Sequence, residues 1–264
     1  MITYQYLGSE FKITTKVGRI FFIAHVYLLE LKLMIMKKEK IPKATVLGSY
    51  GYGWQQMWKH FLYLFLITVV VAFARTPISL IQEYDSVSTA GMVALQILAA
   101  AFMLLFIPVI SYGSNLLYLR GMRNEKIEVQ DIFNGFKKNY LNIILANLLT
   151  FAIVGLGFVF LIVPGIILAC RLSFVSLLVM DKNMEPVAAV EKSWEMTKGY
   201  GWTVFGVGLM AIPVFIGGIL FFVVGIIFAI IWISAAFASL YYAVDLEDKK
   251  KLNGDALEPV AVVE

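Results

Sequence analysis

The sequence predicts an all-α, polytopic membrane protein: a bundle of six transmembrane helices arranged as three parallel hairpin repeats, with short amphipathic helices at the membrane surface. The composition is the first observation, since 60% of the 264 residues are hydrophobic, 15% are charged and the mean hydropathy is +0.82. A soluble domain cannot cover so much apolar surface, because its helices need a polar face toward water. The second observation is that the long apolar runs do not alternate with polar residues, as the strands of a transmembrane barrel would.

Residues 1–35 differ from the rest of the chain. Their apolar stretch, residues 20–29, is interrupted by His25 and is shorter than the roughly 20 residues needed to cross a hydrocarbon core. We expect this segment to be either an extension upstream of the natural start, which would be Met34 or Met36, or a helix lying on the membrane surface.

The transmembrane domain is expected over residues 36–247. The first hairpin is predicted at about 61–117, with an acidic loop between its two spans. The other two are predicted at about 141–180 and 202–244. Residues 248–264 are expected to form a disordered cytoplasmic tail.

The segment 141–180 carries Arg171 as its only charge. A straight helix of 40 residues would be about 60 Å long, roughly twice the hydrocarbon thickness, so the chain must reverse direction. The turn is expected at Val163-Pro164-Gly165, with Gly155 and Gly157 as the competing site. By the same argument the uncharged segment 202–244 should turn near Gly217-Gly218.

Aromatic residues mark the expected membrane boundaries. Tyr50, Trp54 and Trp58 are four residues apart and share one face of a helix. A short amphipathic helix is predicted between Pro186 and Gly199. Since tryptophan and tyrosine concentrate at headgroup level, we expect five interfacial anchors: Trp54, Trp58, Trp194, Tyr200 and Trp202.

Lysine and arginine predict the orientation. They concentrate before the first span, after the second, after the fourth and in the tail, whereas the opposite side has at most Arg75. The positive-inside rule then places six spans in the cell (inner) membrane with both termini cytoplasmic.

A shift of 60 residues superposes the last two hairpins. It places "VPGIILA" from Val163 on "VVGIIFA" from Val223, and ten of the 32 positions in residues 138–169 are identical. The first hairpin shows a fainter likeness, so each repeat is predicted to leave and re-enter the same side of the membrane.

Several motifs carry a family resemblance. They are the "VPGII" turn, "RLSF" with Asp181 after it, "AAVEKSWEMTKGY" from Ala188 and "FASLYYAVD" ending at Asp245. With these motifs the chain resembles an uncharacterised bacterial family of six-helix integral membrane proteins, similar to the membrane domain of glycerophosphodiester phosphodiesterases. The resemblance implies the fold and no catalytic residue.

Three polar residues form the candidate intramembrane site: Arg171, Asn142 and Asn147. An arginine roughly 9 Å past the outer turn is costly in a bilayer, which makes a functional contact with an anion, a lipid headgroup or a substrate the default hypothesis. The alternative interpretation is that Arg171 snorkels or pairs with helix carbonyls or with the two asparagines. Asn142, Asn147 and Thr150, with Gln96, could line a polar path or simply join helices by hydrogen bonds.

The sequence offers no set of residues that names a reaction, and its two histidines and one cysteine make a zinc site improbable. We therefore expect a non-enzymatic integral membrane protein without a cofactor, in a structural, assembly or lipid-associated role. Its partners would be membrane lipids and a cytoplasmic or membrane protein, with no nucleic acid. The alternative is a small-solute or lipid transporter with Arg171 near the path.

Overall fold

The computed structural model describes residues 2–6, 9–13, 41–81 and 89–255. Contacts divide the chain into two units, Met1–Ile41 and Pro42–Glu264, and the expected boundary at residue 35 lies outside the described residues. In the first unit, β1 (Ile2–Tyr6) pairs antiparallel with β2 (Ser9–Ile13). The sequence analysis did not predict these strands, although isoleucine, threonine and tyrosine in β1 favour extended backbone. The stretch 20–29, Met34 and Met36 lie outside the described residues.

Every regular element described in the second unit is helical. In chain order the α-helices are α1 Val46–Lys59, α2 Phe61–Ile81, α3 Thr89–Leu105, α4 Ile107–Met122, α5 Asn134–Lys138, α6 Tyr140–Phe160, α7 Ile162–Arg171, α8 Val175–Asp181, α9 Pro186–Met196, α10 Gly201–Ile219 and α11 Phe222–Asp255. A 3-10 helix, Val129–Phe133, precedes α5.

The described residues contain five helical stretches that are long and apolar enough to cross a membrane. A sixth is added if α1 and the first part of α2, which bend by 98° at their junction, count as one broken span. The five are Val93–Met122, Tyr140–Phe160, Ile162–Asp181, Gly201–Ile219 and Val224–Lys251. The prediction of a multi-pass, all-helical membrane domain is confirmed at this level, with five to six candidate spans.

The helix α1 packs across α11 and α10. A Cβ atom added to Gly53 would lie 2.9 Å from the backbone nitrogen of Ala236, so the two helices approach closely. The Tyr50 hydroxyl donates to the carbonyl of Val207 over 3.0 Å, and the Trp232 indole donates to the carbonyl of Tyr50 over 3.0 Å. Tyr50 is therefore a buried connector between helices, whereas we expected it to face the headgroup region.

The turn between α6 and α7 lies at Leu161, which is extended with φ −163° and ψ 153°. Pro164 falls in the first turn of α7, where a backbone N–H would have no intrahelical partner. The two predicted turn glycines meet each other: a Cβ on Gly157 would lie 3.0 Å from the Cα of Gly165. The predicted hairpin is present, and these glycines allow its two helices to touch just below the turn.

The turn between α10 and α11 was predicted near Gly217-Gly218, and this position is wrong by about three residues. Helix α10 continues to Ile219, and the backbone reverses through Leu220 and Phe221 before Phe222 adopts a φ of 55°. The physical reason is packing, because Gly218 lies against Gly225 of α11.

The tail also differs from expectation. Helix α11 extends through residues 248–255, which we expected to be disordered, and residues 256–264 lie outside the described part of the chain. Ion pairs stabilise this extension: Lys192 of α9 lies 3.0 Å from Asp248, and Lys249 lies 2.8 Å from Asp245 one turn before it.

The close contact under the second turn can be tested with two neighbouring glycines. In Gly218→Ala the new Cβ would lie 2.7 Å from the carbonyl oxygen of Gly225, so we expect the free energy of unfolding to fall by about 1–3 kcal/mol. Gly217 has no atom within 4 Å of an added Cβ, so Gly217→Ala should leave stability unchanged or slightly higher. Thermal unfolding in detergent measures both, and equal effects would contradict the packing assigned to Gly218.

Candidate functional site: a charged cluster and a polar cavity at one end of the bundle

Arg123, directly after α4, joins the end of α8 to α11. Its Nη1 donates to Oδ1 of Asp181 over 2.6 Å and its Nη2 to Oδ2 over 2.8 Å, a bidentate pair with the last residue of α8. Nη2 also donates to Oδ2 of Asp245 in α11 over 3.3 Å. One guanidinium therefore connects segments 58 and 122 residues away in sequence.

Asp245 is a fully enclosed member of this cluster, with a side chain that is 0% exposed. Besides Arg123, it forms ion pairs with Lys182 at 2.7 Å and with Lys249 at 2.8 Å. Tyr241, one turn earlier on α11, donates its hydroxyl to Oδ2 of Asp181 over 3.2 Å. We call these six residues the Arg123 cluster.

The Arg123 cluster carries three cationic and two anionic side chains. Burial disfavours the charged guanidinium, but the carboxylates of Asp181 and Asp245 outweigh burial and raise the pKa of Arg123. The guanidinium carbon also lies 5.6 Å from the centre of the Tyr242 ring, within the range of a cation–π contact. The arginine therefore stays charged and holds α4, α8 and α11 together.

A polar cavity of about 340 Å³ adjoins the cluster. Three of its lining residues are cations (Arg120, Arg123 and Lys138) and three are amides (Asn134, Asn139 and Asn183), against the carboxylates of Glu125 and Asp181. We call this space the basic cavity. Its charge balance and its density of N–H donors suit an anionic oxygen ligand such as a phosphate group.

The lining groups are held by a second set of contacts. Arg120 is ion-paired with Asp131, which also accepts a hydrogen bond from Nδ2 of Asn134 over 2.8 Å. Nδ2 of Asn139 donates to Oδ1 of Asn183 over 2.7 Å. The Lys138 side chain has no ion-pair partner in the part of the chain that the structure describes, so its charge is available to a ligand.

Arg171, the last residue of α7, points to α9. Its Nη1 donates to the carbonyl of Thr197 over 2.8 Å, at the carboxyl end of α9, where a cation is favoured by the helix dipole. Its guanidinium carbon lies 5.5 Å from the centre of the Trp194 ring. The arginine thus pairs with a helix carbonyl, which was one of the two interpretations left open by the sequence.

Helix α9 also supplies hydrogen bonds to the backbone at the break between α7 and α8. The hydroxyls of Ser193 and Thr197 donate to the carbonyl of Arg171 over 2.8 and 3.2 Å, and the N–H of Phe174 donates to Oγ of Ser193 over 3.2 Å. Ser193 and Thr197 are both fully buried. Backbone groups freed by the break are therefore satisfied by side chains of α9, which fixes α9 against the bundle.

The predicted intramembrane polar site of Arg171, Asn142 and Asn147 stays a prediction. Among the described residues, no hydrogen bond joins Arg171 to Asn142 or Asn147. Asn147 instead lines a separate cavity with Thr150, and Gln96 is exposed on α3.

The expected interfacial anchors have the exposure that such a role requires. The Trp202 side chain is 85% exposed, and Trp54, Trp58 and Trp194 are about half exposed. Tyr200 is half-buried, and its hydroxyl donates to the Glu247 carboxylate, which together with burial raises the pKa of Tyr200 to about 12. Their placement at headgroup level stays a prediction.

Sequence reasoning missed the Arg123 cluster. It counted Arg123 and Lys182 only as topology signals, and it quoted Asp181 and Asp245 only as motif residues. A usable signal was present, since an aspartate ends the apolar run before Lys182 and another ends the run before Lys249. In the described residues no group of three or more His, Cys, Asp or Glu could hold a metal ion.

The fold and the site define a multi-pass helical membrane protein with an internally paired charged cluster at one end. Comparison of the chain with family models, curated proteins and solved structures finds no match in any of the three. The resemblance to the membrane domain of glycerophosphodiester phosphodiesterases therefore stays a prediction.

Removing Asp245 should destabilise the bundle. Asp245→Asn leaves Lys182 and Lys249 without their buried counter-charge, and breaking such a pair costs about 3 kcal/mol, the lower end of the usual range because the lysines are partly exposed. Thermal and denaturant unfolding in detergent should show this loss. Glu128→Gln, which removes the partner of the exposed Lys126, is the control and should have little effect. Equal stability of Asp245→Asn and wild type would contradict the role given to the cluster.

Ser193→Ala should loosen α9. The substitution leaves the Phe174 N–H without its acceptor and removes one donor to the Arg171 carbonyl, at a cost of about 1–3 kcal/mol for a buried unsatisfied group. Hydrogen–deuterium exchange should then be faster across Pro186–Met196. Glu191→Gln, on the exposed face of α9, should leave the exchange rate as in wild type. Unchanged protection in Ser193→Ala would show that other contacts hold α9.

Proposed function

We propose that this chain is a non-enzymatic integral protein of the inner membrane with a lipid-associated scaffolding role, and that its basic cavity binds anionic lipid headgroups. The observation that carries the proposal is the convergence of Arg120, Arg123 and Lys138 on one cavity at the end of the apolar bundle. Lipid phosphates are the anions present in quantity at such a boundary, and each basic group near an anionic membrane surface contributes about 1 kcal/mol.

The topology proposed with this function is six spans in three parallel hairpin repeats, with both termini cytoplasmic. In each of the last two hairpins a glycine pair lies below the outer turn, Gly157 with Gly165 and Gly218 with Gly225. Gly165 and Gly225 are 60 residues apart, as the repeat requires, whereas their partners Gly157 and Gly218 are 61 apart. The bent pair α1 and α2 supplies the first span, and the lysine-rich segments supply the orientation.

The helix α9 is proposed to be the surface that meets headgroups or a cytoplasmic protein. Its buried side is fixed by Ser193 and Thr197, whereas Val187 and Trp194 are exposed. A transporter with Arg171 on the path has less support, because the guanidinium is engaged with Thr197 and Trp194.

Headgroup binding can be tested with two adjacent lysines. In nanodiscs of phosphatidylcholine with a minority of phosphatidylglycerol, native mass spectrometry counts the anionic lipids retained by the full chain. Lys138→Gln should lower phosphatidylglycerol affinity about fivefold, the equivalent of one lost surface charge contact. Lys137→Gln, equally exposed but outside the cavity lining, is the matched control. Equal losses in both variants would mean non-specific attraction and would contradict a defined site.

A further inference from the structure

A second cavity, of about 510 Å³, lies between α4, α6 and the α7–α8 segment. All of these helices belong to candidate spans, and the cavity is a groove that opens to the outside of the bundle beside the exposed Phe151. Hydroxyl and amide groups line it from three directions: Tyr112 on α4, Asn147 and Thr150 on α6, and Ser176 on α8. We call it the neutral cavity, because its lining contains no Asp, Glu, Lys, Arg or His.

Two of these polar groups have no hydrogen-bond partner among the residues that the structure describes. The Tyr112 side chain is 6% exposed, and its hydroxyl makes no hydrogen bond with any residue that the structure describes. Oγ1 of Thr150 is buried and also has no hydrogen-bond partner. Oγ of Ser176 accepts from Nδ2 of Asn115 over 3.1 Å, which leaves its own hydroxyl hydrogen to donate. In hydrocarbon an unpaired hydroxyl costs free energy, so these groups indicate a ligand that supplies acceptors.

The remaining lining restricts the class of ligand. Phe151 and Phe158 flank the cavity and are strongly exposed, so they present apolar surface to lipid chains. A phosphate would enter without a counter-charge, which is expensive inside a bilayer. The cavity suits a ligand with several neutral oxygen acceptors close together, because donors are available from Tyr112, Thr150 and Ser176 and from the amide of Asn147.

We propose that the neutral cavity binds diacylglycerol-type lipids, with the free hydroxyl and the ester carbonyls against the polar floor and the acyl chains along Phe151 and Phe158. A long-chain alcohol offers a single oxygen and would leave most of the floor unpaired, whereas a glycerol diester offers several. This inference deepens the lipid-associated role proposed above and uses a cavity separate from the basic cavity.

The test uses the full chain in phosphatidylcholine nanodiscs with a photoactivatable diacylglycerol. Labelling should map to peptides of α6 and the α7–α8 segment, and unlabelled diacylglycerol should compete. Phosphatidylglycerol and a long-chain alcohol should compete at least tenfold less well. Labelling of peptides outside α6 and the α7–α8 segment, or equal competition by the alcohol, would overturn the proposal. This test uses only the wild-type chain and so does not depend on the folding of any variant.

Variants then assign the contacts. Tyr112→Phe combined with Asn147→Leu should lower labelling at least fivefold. Tyr118→Phe is the matched control, since Tyr118 is a buried tyrosine of the same helix whose hydroxyl pairs with Thr68 outside the cavity, and labelling should persist. Lys138→Gln should also leave labelling unchanged, which separates this inference from headgroup binding at the basic cavity. Unchanged labelling in the Tyr112/Asn147 double variant would overturn the assignment.

Discussion

The arrangement of the second unit depends on one guanidinium, that of Arg123, which is shared by two carboxylates. Asp181 ends α8 and Asp245 lies within the last third of α11, so the pairing requires the ends of α4 and α8 to meet α11 at one place. Desolvating five charges is unfavourable, and the cluster is stable only because each charge has a partner within about 3.3 Å. Once Arg123 joins these segments, the chain between one segment and the next has to leave and return as a hairpin. The basic cavity lies beside the Arg123 cluster.

Some polar groups of this chain form hydrogen bonds that stabilise the fold, whereas others have no partner among the described residues. Arg171, Ser193 and Thr197 complete the broken segment between α7 and α8, so an arginine that is costly in a bilayer has a structural partner. By contrast, the buried Oγ1 of Thr150 and the hydroxyl of the largely buried Tyr112 make no hydrogen bond with any residue that the structure describes. This contrast, more than the presence of a charge, distinguishes a binding site from a structural contact in an apolar bundle.

Much of the fold could be predicted from length and hydropathy, because a segment of 40 apolar residues has to reverse direction. The turn positions could not, since glycine serves turns and close helix contacts alike: Gly218 allows contact with Gly225, and the turn follows it. The ion-pair partners of Arg123 could not be predicted from the sequence either, because they lie 58 and 122 residues away along the chain. The partner of Arg171 was beyond the sequence for the same reason, since the direction of each side chain depends on helix rotation, and the guanidinium donates to the carbonyl of Thr197. Asn147 and Thr150 did emerge as cavity residues, because polar side chains in an apolar span are few.

The proposed topology places the segments joined by Arg123 on one side of the membrane, in the cytoplasm. Cysteine labelling measures this topology directly. Single cysteines replace Glu125, Asn183 and Lys250 in a Cys170→Ala background, and an impermeant thiol reagent is applied to intact cells and to inverted vesicles. With both termini cytoplasmic, all three cysteines should be labelled only in inverted vesicles, and a cysteine at Leu220 should be labelled only in intact cells. Asn183 and Lys250 labelled from opposite faces would contradict it.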